Sequence, residues 1–385
     1  MRNTLSARDF SMLIALLLIW AYFVFAPMVI GNDYSMTFVG SRNLSVLAVD
    51  LSITAILALG MLLVILPGHI DLAAGSGVGL FGAIAAVLVF WREWPAQPAL
   101  VVALVAAVVA WTLMGAMIVK QRVPAFIITL GGLLAFRGLH WLIIRGQTIP
   151  VVRGGGDNLY SSLTTYYLPT WAGYALAALV ILGFVVAKLV ARGRRKAYGF
   201  EVDDGELTFV KLFIAAQVVV LFVLVTNQFR GVPLPAVILG ATALFVWVLT
   251  QHTPFGRYLY AIGGNEEAAV FSGVRVDRVV IGAFSIMGLI VGLTGFMQTA
   301  YSGASTSTVG QLMELDAIAA CVIGGTSLRG GRGSVMGVLF GALIMASLLN
   351  GMTLMAVSPE AKYIARGVVL ILAVWMDVKL AGKAS

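Results

Sequence analysis

The chain has 385 residues, 60% of them hydrophobic and only 11% charged, with a mean hydropathy of +0.99. A soluble core cannot hide that much apolar surface, so a water-soluble enzyme or binding module is excluded and a polytopic membrane protein is indicated. A formal charge of +8 would suit nucleic acid, but the basic residues sit in short loops between apolar runs, which is a topology signal and argues against a nucleic-acid partner.

A bilayer core needs about 20 apolar residues per helix, fewer where a segment is broken or buried in protein. On that ruler twelve segments emerge, near 11–30, 46–67, 76–91, 98–118, 125–144, 170–190, 211–227, 232–250, 279–299, 312–325, 334–355 and 362–379. The expected fold is one all-α transmembrane domain over 1–385 with some broken helices. The first segment follows two arginines, Arg2 and Arg8, without a small-residue cleavage site, and reads as a retained span. Forty-three glycines fit closely packed membrane helices. GHIDLAAGSGVGLFGAI (68–84) and GGTSLRGGRGSVMGVLFGAL (324–343) echo one another, each a Gly-rich break leading into an apolar helix. Such interrupted pairs point toward a central pathway.

Placing the N-terminus in the cytoplasm puts 17 of the 25 Lys and Arg residues on the inner side, which predicts N-in and C-in. Residues 146–169, with Tyr160, Tyr166 and Tyr167, then form an outer loop whose aromatics read as an interfacial belt. Residues 191–210 form a basic-then-acidic cytoplasmic connector, and 251–278 a cytoplasmic loop.

Catalytic machinery is not legible. His69, His140 and His252 have no metal-ligand spacing, and GGTSLRGGRGS lacks the Gly-Lys-Ser/Thr ending of a phosphate loop. Any ATP must therefore be hydrolysed by a separate chain. Cys321, alone, reads as a small buried hydrophobe. Ionisable groups in or beside spans are costly there. Asp71, in the broken stretch, reads equally as the lining of a polar path and as a cap of the break. Glu314 and Asp316 diverge by about 200° on a helix, so they cannot face one site; pairing with Arg137 or Arg366 is the favoured role. Asp50 and Asp377 read as interfacial.

The polar island Pro254–Arg278, PFGRYLYAIGGNEEAAVFSGVRVDR, carries a helix start at Asn265 with Glu266 and Glu267 behind it, then an Ala-rich piece closed by Gly273. This run resembles the coupling loop of sugar-type bacterial ABC importer permeases, the ribose/xylose/galactose group. Further matches to that group are Gly68, Ile70, Asp71, Leu72 and Gly75; Thr129, Leu130, Gly131, Arg137, Gly138 and Leu139; and the continuous run Glu314–Val335. They are ordered along about 60–385. The inserted pair of segments near 211–250, the RGVP run Arg230–Pro233 and the C-terminal ending resemble the xylose branch. Ala73 stands where the group has serine, so a polar role at that position does not carry over.

The resemblance implies the permease subunit of an ATP-driven importer for a monosaccharide, D-xylose or a similar pentose, in the bacterial inner membrane. It implies a homodimer in membrane lipid, an extracytoplasmic sugar-binding protein, and partner ATPases that bind the ATP and Mg, with no cofactor, metal or catalytic residue in this chain. The coupling residues it implies are Gly263, Gly264, Asn265, Glu266, Glu267, Ala268, Ala269 and Gly273. Candidates for the translocation path are Asp71, Arg137, Glu314 and Asp316. The competing class is an ion-coupled secondary sugar transporter using Asp71 or Glu314.

Overall fold

The computed structural model describes residues 7–30, 37–154, 156–200, 202 and 205–381. Arg2 and Lys383 of the topology count, Gly155 of the outer loop and Glu201, Asp203 and Asp204 of the connector lie outside the described residues, as do the side chains of Arg8, Asp377 and Lys379.

Each of the twelve apolar segments falls on a helix. They are α1 (Ala7–Ile30), α2 (Ser41–Ile65), α3 (Ala74–Phe90), α4 (Ala96–Gln121), α5 (Ala125–Ile144), α7 (Thr170–Ala197) and α8 (Gly205–Asn227). The later ones are α9 (Leu234–His252), α12 (Val276–Tyr301), α13 (Met313–Ile323), α14 (Val335–Leu354) and α15 (Pro359–Ala381). Three short helices complete the set: α6 (Leu159–Thr165), α10 (Pro254–Gly264) and α11 (Glu266–Phe271). Eight of the described helices are long and apolar enough to cross a membrane. With 11 residues, α13 rises only about 16 Å and cannot cross a core of about 30 Å. Twelve apolar segments are therefore not twelve full crossings.

Burial sorts the helices as their sequences dictate. α2 is apolar on every face and sits at the centre, packed by α12, α13, α14 and α9. α7 and α8 form a peripheral hairpin whose large apolar side chains are mostly exposed, the character of a lipid-facing pair. Its own small core joins Ala177, Val223 and Val232. Glycines set the tightest crossing, between α3 and α12. A Cβ on Gly295 would lie 2.6 Å from the Val78 carbonyl oxygen, and one on Gly82 at 2.6 Å from that of Gly295.

A two-residue antiparallel ladder, β1 (Ile149–Pro150) against β2 (Ala304–Ser305), marks one end of the bundle; α10 and α11 mark the other. Tyr160 is not part of an exposed aromatic belt. It is fully buried beside Phe296, and its hydroxyl donates to the Gly82 carbonyl at 2.8 Å. Tyr166 is exposed, and Tyr167 lies under the Arg230 guanidinium. Cys321 is fully buried.

Candidate functional site

At the α10–α11 end the chain builds a two-part projection. Thr253 caps α10, accepting from the Gly256 N–H at 3.3 Å, and Pro254 supplies the pre-set φ of its first turn. Leu259 and Ile262 bury one face of α10, while Arg257 and Tyr258 remain outside. Asn265 then stops α10 in extended backbone and caps α11, its Oδ1 accepting from the Ala268 N–H at 2.9 Å. Glu266 and Glu267 occupy the first turn, where carboxylates favour the helix dipole. α11 closes through Gly273 at φ +82°, with the Gly273 N–H donating to Val270 O and the Val274 N–H to Ala269 O.

The faces of α11 are unequal. Ala269 is buried, 4% exposed, and packs toward the permease body, whereas Ala268, Val270 and Phe271 point out. Phe271 is 91% exposed, an apolar side chain held free at the tip. Ala269, one of the coupling residues the resemblance implies, is thus turned inward, and Phe271, which is not among them, is the exposed one. Six residues give too little period to assign a face from the sequence; the packing of Ala269 against the core assigns it.

The projection is tied to the interior through glycines. Gly263 rests against the Leu66 carbonyl and the Gly330–Gly331 backbone, with no room for a Cβ, while Gly264 faces open space. The Gly331 N–H donates to the Leu66 carbonyl at 2.9 Å, and the Tyr260 hydroxyl to that of Gly333 at 2.9 Å. The 324–334 loop thus bridges α10 to the end of α2.

From Leu66 the chain leaves helical form and runs inward. Its beginning abuts Gly330, and its end at Gly75 packs under Gly310 and the Glu314 carboxylate at the far end of α13. The GHIDLAAG break therefore reaches from the α10–α11 end into the bundle, a backbone path tolerated in a membrane because protein encloses it. Asp71 is fully buried there. Its Oδ1 accepts from the Ala73 N–H at 2.8 Å and its Oδ2 from the Trp111 indole at 2.6 Å. Thr129 donates to the Ile70 carbonyl at 3.1 Å.

Glu314 and Asp316 do face different surroundings. Glu314 shares a narrow cleft with Arg137, His140 and Ser76. Asp316 pairs with Arg366 at 3.1 Å beside a larger cavity of about 350 Å³. Arg137 thus lies with Glu314 at the cleft and Asp316 with Arg366 beside the cavity, while Asp71 is held by the Trp111 indole and the Ala73 N–H.

The sequence matches the family model described as a branched-chain amino acid transport system permease component, over residues 43–374. It is 38% identical over 375 residues to the Xylose transport system permease protein XylH of Escherichia coli K12, covering 97% of this chain and 93% of that protein. The corresponding protein of Haemophilus influenzae is also 38% identical, with 97% of each chain covered. The Ribose import permease protein RbsC of Escherichia coli K12 is 35% identical, over 91% and 90%. No solved structure matches.

Proposed function

The chain belongs to the family of branched-chain amino acid transport system permease components, a multi-pass membrane protein, and on that premise we propose that it is the permease of an ATP-driven monosaccharide importer, for D-xylose or a similar pentose. The family description names amino acids, but relatives matched over nine-tenths or more of the chain include proteins named for xylose and ribose. The polar lining of the 350 Å³ cavity suits hydroxyls better than an aliphatic side chain.

The observation that carries the reading is the α10–α11 projection. It offers an exposed apolar knob, Phe271, behind two carboxylates on a capped helix, backed by an inextensible glycine contact to the core. In this reading an ATPase subunit receives Phe271, Glu266, Glu267 and Ala268, with Gly263, Gly264, Asn265, Ala269 and Gly273 shaping the element. Motion of the ATPase passes through Tyr260–Gly333 and Gly331–Leu66 to the 66–73 break and to the α13–α14 turn. The α10–α11 end is cytoplasmic, and the β1–β2 end receives sugar from an extracytoplasmic binding protein. Two copies form the path, with the Arg137–Glu314 cleft as a lining candidate. An ion site at Asp71 is disfavoured because both its oxygens already accept hydrogen bonds.

Deleting the gene in its host should abolish uptake of radiolabelled D-xylose at low concentration, and a plasmid copy should restore it. Undiminished uptake of both D-xylose and D-ribose in the deletion strain would overturn the reading.

A further inference from the structure

The cavity of about 350 Å³ lies within one chain, between α2, α12, the 302–312 loop, α13, α14 and α15, on the β1–β2 side of the bundle. Its volume falls within the range of small-molecule sites, about 300–1,000 Å³. The polar groups that line it include Asp50, Gln298, Tyr301, Asp316, Asn350 and Arg366, drawn from five helices. Asp50 engages the Tyr301 hydroxyl and the Asn350 amide, and Asn350 is itself held by the Asn43 amide at 2.9 Å, so this wall is pre-arranged.

The opposite wall is incomplete. Asp316 is 5% exposed, and only its Oδ2 meets Arg366; its Oδ1 and the Arg366 Nε are buried without a hydrogen-bond partner. Buried polar atoms left so are costly and are normally satisfied by something. A hydroxyl both donates and accepts, so sugar hydroxyls can meet a carboxylate and a guanidinium alike, whereas an ammonium group only donates. Two carboxylates against one guanidinium also disfavour an anionic occupant.

We propose that this cavity binds a neutral monosaccharide inside each protomer, through Asp316, Arg366 and the Asp50–Tyr301–Asn350 wall, separate from any path formed between two copies. The proposal rests on the importer reading above, and it places a sugar contact at the side where delivered sugar arrives.

The test is equilibrium binding of radiolabelled D-xylose to the full-length protein in nanodiscs, without ATPase, alongside uptake by deletion cells carrying each variant. Saturable binding is expected, competed by D-ribose and not by the bulkier maltose. Gln298→Leu removes a half-buried polar group of the lining and should weaken binding about tenfold. Thr54→Phe, which fills the cavity from α2, should abolish it; both variants should elute as monodisperse protein. Saturable binding unchanged by either substitution would place the sugar elsewhere and overturn the proposal. So would absence of binding in a wild-type protein that still supports uptake, which would make the cavity water-filled only while leaving the importer reading intact. Loss of the importer reading is read separately, from the deletion strain.

Discussion

The Trp111 indole N–H meets the Asp71 carboxylate at 2.6 Å, joining α4 to the broken segment that precedes α3. Trp111 is fully buried, with its ring near Phe81 and Phe136 and seated over Gly77 and Gly288. The contact fixes non-helical backbone at membrane depth, so its loss should be felt as stability first. Trp111→Phe keeps most of the ring but leaves Asp71 Oδ2 buried and unpaired, at a cost of about 1–3 kcal/mol. A fall of several degrees in the melting temperature followed by circular dichroism is expected. Asp71→Asn keeps one acceptor but turns its NH2 toward the other of the two donors, Ala73 N–H or the Trp111 indole, and should cost at least as much.

Phe271 and Ala269, two residues apart on α11, should behave oppositely. Phe271→Asp changes a side chain that touches little of the permease, so melting should move by less than about 0.5 kcal/mol equivalent while co-purification with the ATPase is lost. Ala269→Arg forces bulk into a packed position and should destabilise the permease itself by about 1–3 kcal/mol. Size-exclusion profiles and ATPase pull-down on the same preparations separate the two effects.

Gly263 and Gly264 make a second contrast. A methyl at Gly263 would collide with the Leu66 carbonyl and Gly331, whereas one at Gly264 meets nothing. Gly263→Ala should lower the melting temperature and reduce uptake per bound ATPase. Gly264→Ala should leave stability unchanged.

Much of this architecture was legible from apolar periodicity. All twelve segments became helices because runs of apolar residues have one solution in a bilayer, and the Asn265 cap and Gly273 closure follow local rules. What escaped depends on distant contacts. α10 is not legible locally because Leu259 and Ile262 are isolated apolar residues in a polar stretch, and they find their place only in the central core and against α9 and α12. The divergence of Glu314 and Asp316 was readable from helix geometry. Which basic group each meets was not, because α5 and α15 lie far away in sequence.

The Asp316–Arg366 pair should show strong non-additivity. Arg366→Met alone strands a buried carboxylate and should cost about 3–5 kcal/mol. Arg366→Met with Asp316→Leu removes both charges and should recover much of that loss, as judged from thermal melts of the two variants side by side.

The most direct measurement is D-xylose accumulation in proteoliposomes holding this permease, its ATPase and its sugar-binding protein, with Phe271→Asp as the paired control. Accumulation that requires ATP, resists a protonophore and is lost in Phe271→Asp is predicted. Accumulation without the ATPase that collapses when the proton gradient is dissipated would contradict the account.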